Sequence, residues 1–377
     1  MENLCYYPFS SLTIEAFGKV RLCTSAKGFL VDLKNGKESF ANVWRSDAYE
    51  GIRKEFLSGK WPSSCMGCKN LEAKGLDSKR NKYNNSRTRI YGDNYEKEII
   101  ERPRIAHLSI AFSNHCNLRC AMCNGSFSSR WRRDADTPFD GHNPEGDIDF
   151  ELDDKQFEEI LEIACQSESI ILKGGEPLLS KRLESFLLVL DEKNPNVMIS
   201  IQTNGTFFPE KIFKKIKNLK IEFSFSLESV FDGYEWIREY PFEKFEKNII
   251  LFDQLHCSAG IYFEYTATWY GLLNFQDFIS WVSKMKFTLR RLVQVALVSI
   301  AQQPWNTPLN LGEQDIQSIL KILYSLKNDS IFRYVNTLYS YLEYGISNGG
   351  MSHEAKSYYS YLETQRGPYL KARSLCV

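Results

Sequence analysis

The sequence predicts an α/β protein: a partial TIM-like (β/α)6 barrel with a small cysteine-rich N-terminal domain and a C-terminal helical extension. Three observations predict it. Between residues 104 and 305, strand-like runs alternate with segments of helical apolar spacing, in about six successive units. Strands joined through helices make a parallel sheet with the helices outside. Residues 1–76 are instead rich in Gly, Ser and Cys, and residues 306–377 return to amphipathic helices.

The elements follow in order. RIAHLSIAF (Arg104 to Phe112) is the first core strand and DDKQFEEILEIACQ the helix after it. SIILKGGEPLL is a buried strand ending in a Gly-Gly turn, followed by the helix SKRLESFLLVLDEK with Ser180 as its N-cap. NVMISIQTNG, LKIEFSFSLES, GIYFEYTATWYG and RRLVQVALVSI supply four more strands. PEKIFKKIKN, FEKFEKNIILFDQL and FQDFISWVSKMK supply the helices between them. Residues 77–103 read as a polar, charged linker. EQDIQSILKILYSL and the Tyr-rich NTLYSYLEYG and EAKSYYSYLETQ read as helices of the extension.

Composition narrows the function. The 377 residues carry a net charge of +0, with 43% hydrophobic and 25% charged residues, so neither nucleic acid nor a membrane surface is an expected partner. No apolar run approaches the roughly 20 residues that span a bilayer. MENLCYYPFSSLTIEAFG lacks the basic and apolar regions of a secretory signal, so a cytoplasmic protein is expected. In that compartment ten cysteines point to metal or redox chemistry rather than disulfides.

SNHCNLRCAMCNG places Cys116, Cys120 and Cys123 directly after the first core strand, at the carboxyl-terminal face where such barrels hold their chemistry. Three thiolates leave one corner of a four-iron cluster open, and an open iron can hold a cofactor. Spacing alone leaves open a zinc site completed by His115 or by a distant ligand.

CNLRCAMC resembles the three-cysteine signature of the radical S-adenosylmethionine (SAM) superfamily, and KGGEP (Lys173 to Pro177) resembles its Gly-Gly-Glu motif. The resemblance covers most of residues 104–300. It implies that Cys116, Cys120 and Cys123 ligate a [4Fe-4S] cluster whose fourth iron is chelated by SAM. An electron from that cluster would cleave SAM to a 5'-deoxyadenosyl radical that abstracts hydrogen from a substrate. The resemblance further implies SAM contacts from Gly174 and Gly175, which let backbone approach the cofactor, and from the Glu176 carboxylate. Gln202 and Asn204 of QTNG, Ser226 and Glu228 of SLES, Arg238, and Met122 near the adenine complete the implied set.

Strand alternation adds a reading of its own. In IEFSFSLE the residues Glu222, Ser224, Ser226 and Glu228 share one face and Phe223, Phe225 and Leu227 the other; Tyr262, Glu264, Thr266 and Thr268 likewise share a face. A polar, partly open interior is expected, with Glu264 and Gln202 as substrate contacts. A solvent-facing polar edge is the other reading of the same pattern.

Cys5, Cys23, Cys65 and Cys68 form a second group: Cys5, twelve residues, Gly18, four residues, Cys23, then the C-x-x-C pair of WPSSCMGC. Four thiolates can close a site, and by spacing alone it reads as a zinc ribbon. The pattern resembles the SPASM and twitch extensions of radical SAM enzymes, which implies an auxiliary [4Fe-4S] cluster. In the familiar members that extension follows the barrel; here it precedes it. Cys165 and Cys257 read as packing residues, and Cys376 as a tail residue that could fold over the site as a hydrogen donor.

The expected function is a radical SAM oxidoreductase or maturase acting on a peptide or protein side chain, reduced by a flavodoxin or ferredoxin type partner. The alternatives are the same chemistry on a small molecule such as an aminocyclitol or sugar, and a non-catalytic iron-sulfur or zinc protein.

Overall fold

The computed structural model describes residues 3–34, 39–73, 75, 77–132, 149–300, 304–346 and 350–369, the backbone alone at 132 and 298–300. Cys376 lies outside the described residues. Among the described residues, ten strands and the helices between them make a mixed α/β fold. The chain divides into two compact units: residues 1–115, 148–200 and 215–220, and residues 116–147, 201–214 and 221–377.

In the first unit, β1 (Ser11–Ile14), β2 (Lys19–Arg21) and β3 (Val31–Asp32) form an antiparallel meander. β1 also pairs in parallel with β4 (His107–Ala111), and β4 in parallel with β5 (Ser169–Lys173). Alternation sends Leu12, Ile14, Leu108, Ile110, Ile170 and Leu172 to one fully buried face. Past the end of β4, Phe112 stacks edge-on with Phe157 and Phe186 of helices Asp154–Cys165 and Leu183–Lys193. The other face carries Ser11, Thr13, His107, Ser109, Ser169 and Lys173.

The expected border at residue 76 does not divide this unit. All four residues of β1 are buried, and a strand so enclosed needs its parallel neighbour β4. The expected linker 77–103 is helical, Lys79–Tyr91 and Tyr95–Glu101, with Ser78 capping the first helix by accepting the Asn81 N–H. Its polar composition hid the helix, because the residues that hold it are aromatic. Tyr83 and Tyr95 are buried, and both rings contact His107.

The second unit holds β6 (Met198–Thr203), whose first three residues belong to the first unit, then β7 (Ile221–Ser226), β8 (Ser258–Ala267), β9 (Val293–Ile300) and β10 (Phe332–Arg333). β7 to β10 pair in parallel in that order. Phe223, Phe225, Phe263 and Tyr265 pack on rings of helices Phe242–Gln254 and Phe275–Thr288. Helices Glu313–Leu326, Val335–Gly345 and His353–Arg366 form the C-terminal part. Among the described residues no helix is long and apolar enough to cross a membrane.

Two expectations change. The helix expected over PEKIFKKIKN is a single turn, Glu210–Phe213, because the Asp191 carboxylate accepts the backbone N–H groups of Lys217, Asn218 and Leu219 at 3.0, 2.7 and 2.7 Å and pulls that segment out of helix. Ser180 does not cap its helix, which starts at Leu183; its Oγ accepts the Arg182 N–H in the turn before.

His107 is 4% exposed, with Nε2 2.8 Å from the Tyr95 hydroxyl and Nδ1 2.8 Å from Ser169 Oγ. Burial, reinforced by Arg87 and Arg104, holds its pKa down at about 2. The unfolded chain therefore takes up a proton near pH 6.5 that the native state refuses, so His107 costs stability as pH falls below that value. Between pH 7 and 5 this amounts to about 2 kcal/mol. His107→Gln removes that part of the slope, which urea unfolding at the two pH values measures; an unchanged slope would mean that His107 titrates normally in the folded state.

Candidate active site

In the first unit, Cys5 precedes the one-turn helix Tyr7–Ser10 and Cys23 follows the β1–β2 hairpin. Gly18 turns that hairpin at φ +78°, and a Cβ there would lie 2.5 Å from the Phe150 ring. Cys65 ends a 3-10 turn and Cys68 sits in helix Met66–Glu72. The four sulfur-bearing residues line one cavity, walled by Tyr7, Phe56, Trp61 and Arg80.

Burial and the neighbouring Cys23 push the Cys5 thiol well up; burial raises Cys23, and burial pushes Cys65 up to about 12. All three are free of disulfides, and burial keeps them as thiols. Among the described residues no three His, Cys, Asp or Glu side chains close on a single-ion position. Four cysteines lining one cavity supply the four thiolates that a closed iron-sulfur cluster takes.

The Gly-Gly-Glu turn also belongs to the first unit. Gly174 has φ +132°, and a Cβ on it would meet the Ser113 carbonyl oxygen at 2.8 Å; one on Gly175 would meet the His115 carbonyl oxygen at 2.2 Å. The glycines are therefore required by the backbone that leads into Cys116, a reason different from the expected approach to a cofactor. The Glu176 N–H donates to the His115 carbonyl at 2.7 Å, and its buried carboxylate accepts the Leu178 N–H at 3.0 Å, starting the turn Pro177–Leu179.

In the second unit, Cys116, Cys120 and Cys123 lie on one loop, where burial and the sulfurs of Cys120 and Cys116 push Cys123 upward. Cys116 Sγ accepts the Leu118 N–H at 3.5 Å and Asn204 Nδ2 at 3.8 Å; Cys120 Sγ accepts Arg238 Nη1 at 3.5 Å. N–H groups aimed at sulfur stabilise thiolate and tune a metal bound to it. Asn204 also donates to Asn117 Oδ1 at 3.0 Å, so it holds the cysteine loop.

Arg238 and Glu228 are fully buried and bidentate, at 2.8 and 2.7 Å. Burial pushes the Glu228 carboxyl up against the opposing pull of Arg238. The two implied cofactor contacts thus satisfy each other and reach Cys120 as a unit. Met122, Gln202 and Ser226 are half-buried. Glu264 accepts the Ser224 hydroxyl at 3.1 Å on the sheet face opposite the phenylalanines, as alternation predicts. Thr268 is spent as the N-cap of helix Trp269–Leu273.

Sequence reasoning missed the clamp on this loop. The Tyr358 hydroxyl donates to the Ala121 carbonyl, and Arg366 donates to the carbonyls of Arg119, Trp236 and Ile237. Glu239, left-handed at φ 54°, binds Arg119 at 3.0 Å and Arg366 at 3.5 Å. No local pattern marks these residues; each pair is distant along the chain.

Residues 110–266 match the family model described as Radical SAM superfamily, and residues 5–69 match an iron-sulfur cluster-binding domain, SPASM. Residues 110–266 belong to the radical SAM superfamily. The SPASM match spans Cys5, Cys23, Cys65 and Cys68, ahead of the radical SAM core. Among curated proteins, an uncharacterized protein of Methanocaldococcus jannaschii is 30% identical over 127 residues, 33% of this chain and 39% of its own length. A GTP 3',8-cyclase of Nautilia profundicola is 29% identical over 117 residues, 30% of this chain and 32% of its own. The chain thus spans about a third of the length of the curated relatives it matches. Among solved structures, anSMEcpe with bound AdoMet shares 18% identity at TM-score 0.45, covering 59% of this chain and 58% of that one. Streptococcus suis SuiB bound to precursor peptide SuiA shares 16% identity at TM-score 0.42, covering 78% and 64%.

The radical SAM core makes a sharp prediction at Gly175. Gly175→Ala drives a methyl group into the His115 carbonyl, so the backbone before Cys116 must move, at a cost of about 1–3 kcal/mol or more. Denaturant unfolding should show that loss together with fewer irons per chain after anaerobic reconstitution; wild-type stability and iron would refute the packing role.

Proposed function

We propose that this chain is a radical SAM enzyme that abstracts hydrogen from a polar substrate, with a peptide or protein side chain as the substrate class. The single observation that carries the reading is three cysteines on one loop, with the Cys116 sulfur met by N–H donors from Leu118 and Asn204 and the Cys120 sulfur by Arg238. Cys116, Cys120 and Cys123 would hold the cluster with the open iron, and Cys5, Cys23, Cys65 and Cys68 the auxiliary one. When bound, the open cluster and SAM together supply a 5'-deoxyadenosyl radical on delivery of one electron from a flavodoxin or ferredoxin type reductant.

The protein's own residues do the rest. The buried Glu228–Arg238 pair keeps a fixed positive group on Cys120, and Asn204 fixes the loop at Cys116. Met122, Gln202 and Ser226 are half-buried and so remain within reach of a cofactor. The polar stripe with Ser224 and Glu264 gives a substrate fixed acceptors on the side of the sheet away from its helices. Arg366 holds the Arg119 carbonyl and Tyr358 the Ala121 carbonyl, which keeps the loop's backbone from rearranging as electrons enter.

Anaerobic reconstitution of wild type should yield about eight irons per chain, and a variant with Cys116, Cys120 and Cys123 all changed to Ala about four. Mössbauer and EPR spectra of the variant should be insensitive to SAM. Equal iron in the two proteins would overturn the reading, while about four irons and one zinc in wild type would reassign the N-terminal cysteines alone. With a substrate in hand, Glu264→Gln should lower kcat/KM by about 10-fold to 100-fold, the worth of a hydrogen bond to a charged group. Unchanged turnover would remove Glu264 from the substrate contacts.

A further inference from the structure

The polar face of the first unit's sheet carries charge beside the N-terminal cysteine cavity. Register places Arg21 beside Thr13, and Glu15 follows Ile14 on the same face as Thr13. Ala111 pairs with Lys173 at the carboxyl ends of β4 and β5. The small Ala111 side chain lets Lys173 Nζ reach Glu15 Oε2 across the intervening strand at 3.0 Å. Lys19 lies opposite Asp32.

Among the described residues Arg21 makes no ion pair. Its guanidinium lies 4.5 Å from the Phe29 ring centroid, and its Nε is buried without a hydrogen-bond partner among the described residues. From helix Lys79–Tyr91, which carries five cations and no acid, Lys79 reaches Thr24 Oγ1. Burial lowers the Lys173 pKa, Glu15 opposes this, and Lys79 and Arg21 lower it further, so these cations share one field. Among the described residues Arg21, Lys79 and Lys173 have one carboxylate ion-paired with them, Glu15, three positive charges against one. All three cations are half-buried, where uncompensated charge is unfavourable until an anion joins it.

We propose that Arg21, Lys79 and Lys173 bind an oxyanion of the substrate, a phosphate or a carboxylate, between the N-terminal cysteine cavity and the Gly174–Glu176 turn. The patch touches both: Arg21 precedes Cys23 by two residues, and Lys173 directly precedes Gly174. Glu15 orients Lys173 and keeps it charged, Arg21 offers a planar fork suited to two oxygens, and Lys79 adds a point charge from the helix. The proposal rests on the radical SAM reading and narrows its substrate to one bearing an anionic group.

Calorimetric titration of the reconstituted holoprotein with inorganic pyrophosphate and with citrate tests it, in wild type, Arg21→Gln and Lys79→Gln, with SAM titrated in parallel. The expected result is millimolar or tighter binding of at least one probe to wild type, weakened about tenfold or more in each variant. SAM affinity should be equal in all three proteins. Preference for pyrophosphate identifies phosphate as the group, and preference for citrate identifies carboxylate. Equal probe binding in the variants, or none in wild type up to roughly 10 mM, overturns the patch. Failure of wild type to bind SAM overturns the radical SAM reading instead, and the probe titration still decides the patch. Circular dichroism and Arg21→Lys, which should restore most of the probe affinity, separate lost binding from lost folding.

Discussion

The contact of Gly174 and Gly175 with the backbone of Ser113 to His115 is the constraint on which the candidate site depends. At 2.8 and 2.2 Å there is no room for a single methyl group, so the end of β5 and the exit from β4 are locked as one piece of backbone. The Glu176 N–H closes on the His115 carbonyl, and Cys116 is the next residue. A loop proposed to present three sulfurs to one cluster needs a rigid start, because a loosely held ligand forfeits geometry and affinity together.

Beyond that start, the loop is held by charge and by hydrogen bonds to carbonyls rather than by apolar packing alone. Arg238 is buried, bidentate to Glu228, and turned toward Cys120. Arg366 and Arg119 share Glu239, and Arg366 occupies three backbone carbonyls. Buried ion pairs contribute modestly to net stability, yet breaking one leaves an uncompensated charge, so they specify one arrangement. The N-terminal cavity uses a related device: Arg80, held by Glu72 at 3.0 and 2.6 Å and by the Leu4 carbonyl, stands in the wall beside the cysteines.

The two faces of each half of the sheet divide the labour. One face is apolar and covered by helices; the other carries Glu15, Lys173 and Arg21 in the first unit and Ser224 and Glu264 in the second. A polar group on a buried face is tolerated only when paired, and most of these are. The exceptions, such as Arg21 Nε, mark where a ligand's own polar groups would complete the pairing.

Periodicity and spacing by themselves determined the succession of strands and helices, the apolar and polar stripes, and the two cysteine groups, because each depends on residues close in sequence. The aromatic anchors that make 77–103 helical, the Asp191 carboxylate that unwinds 217–219, and the mutual engagement of Glu228 and Arg238 were decided only in the tertiary structure. So were the packing role of Gly175 and the clamp of Tyr358 and Arg366 on the cysteine loop. Each is a contact between residues remote along the chain or a backbone clearance of a few tenths of an ångström. Neither leaves a period, a propensity or a spacing in the sequence that carries it.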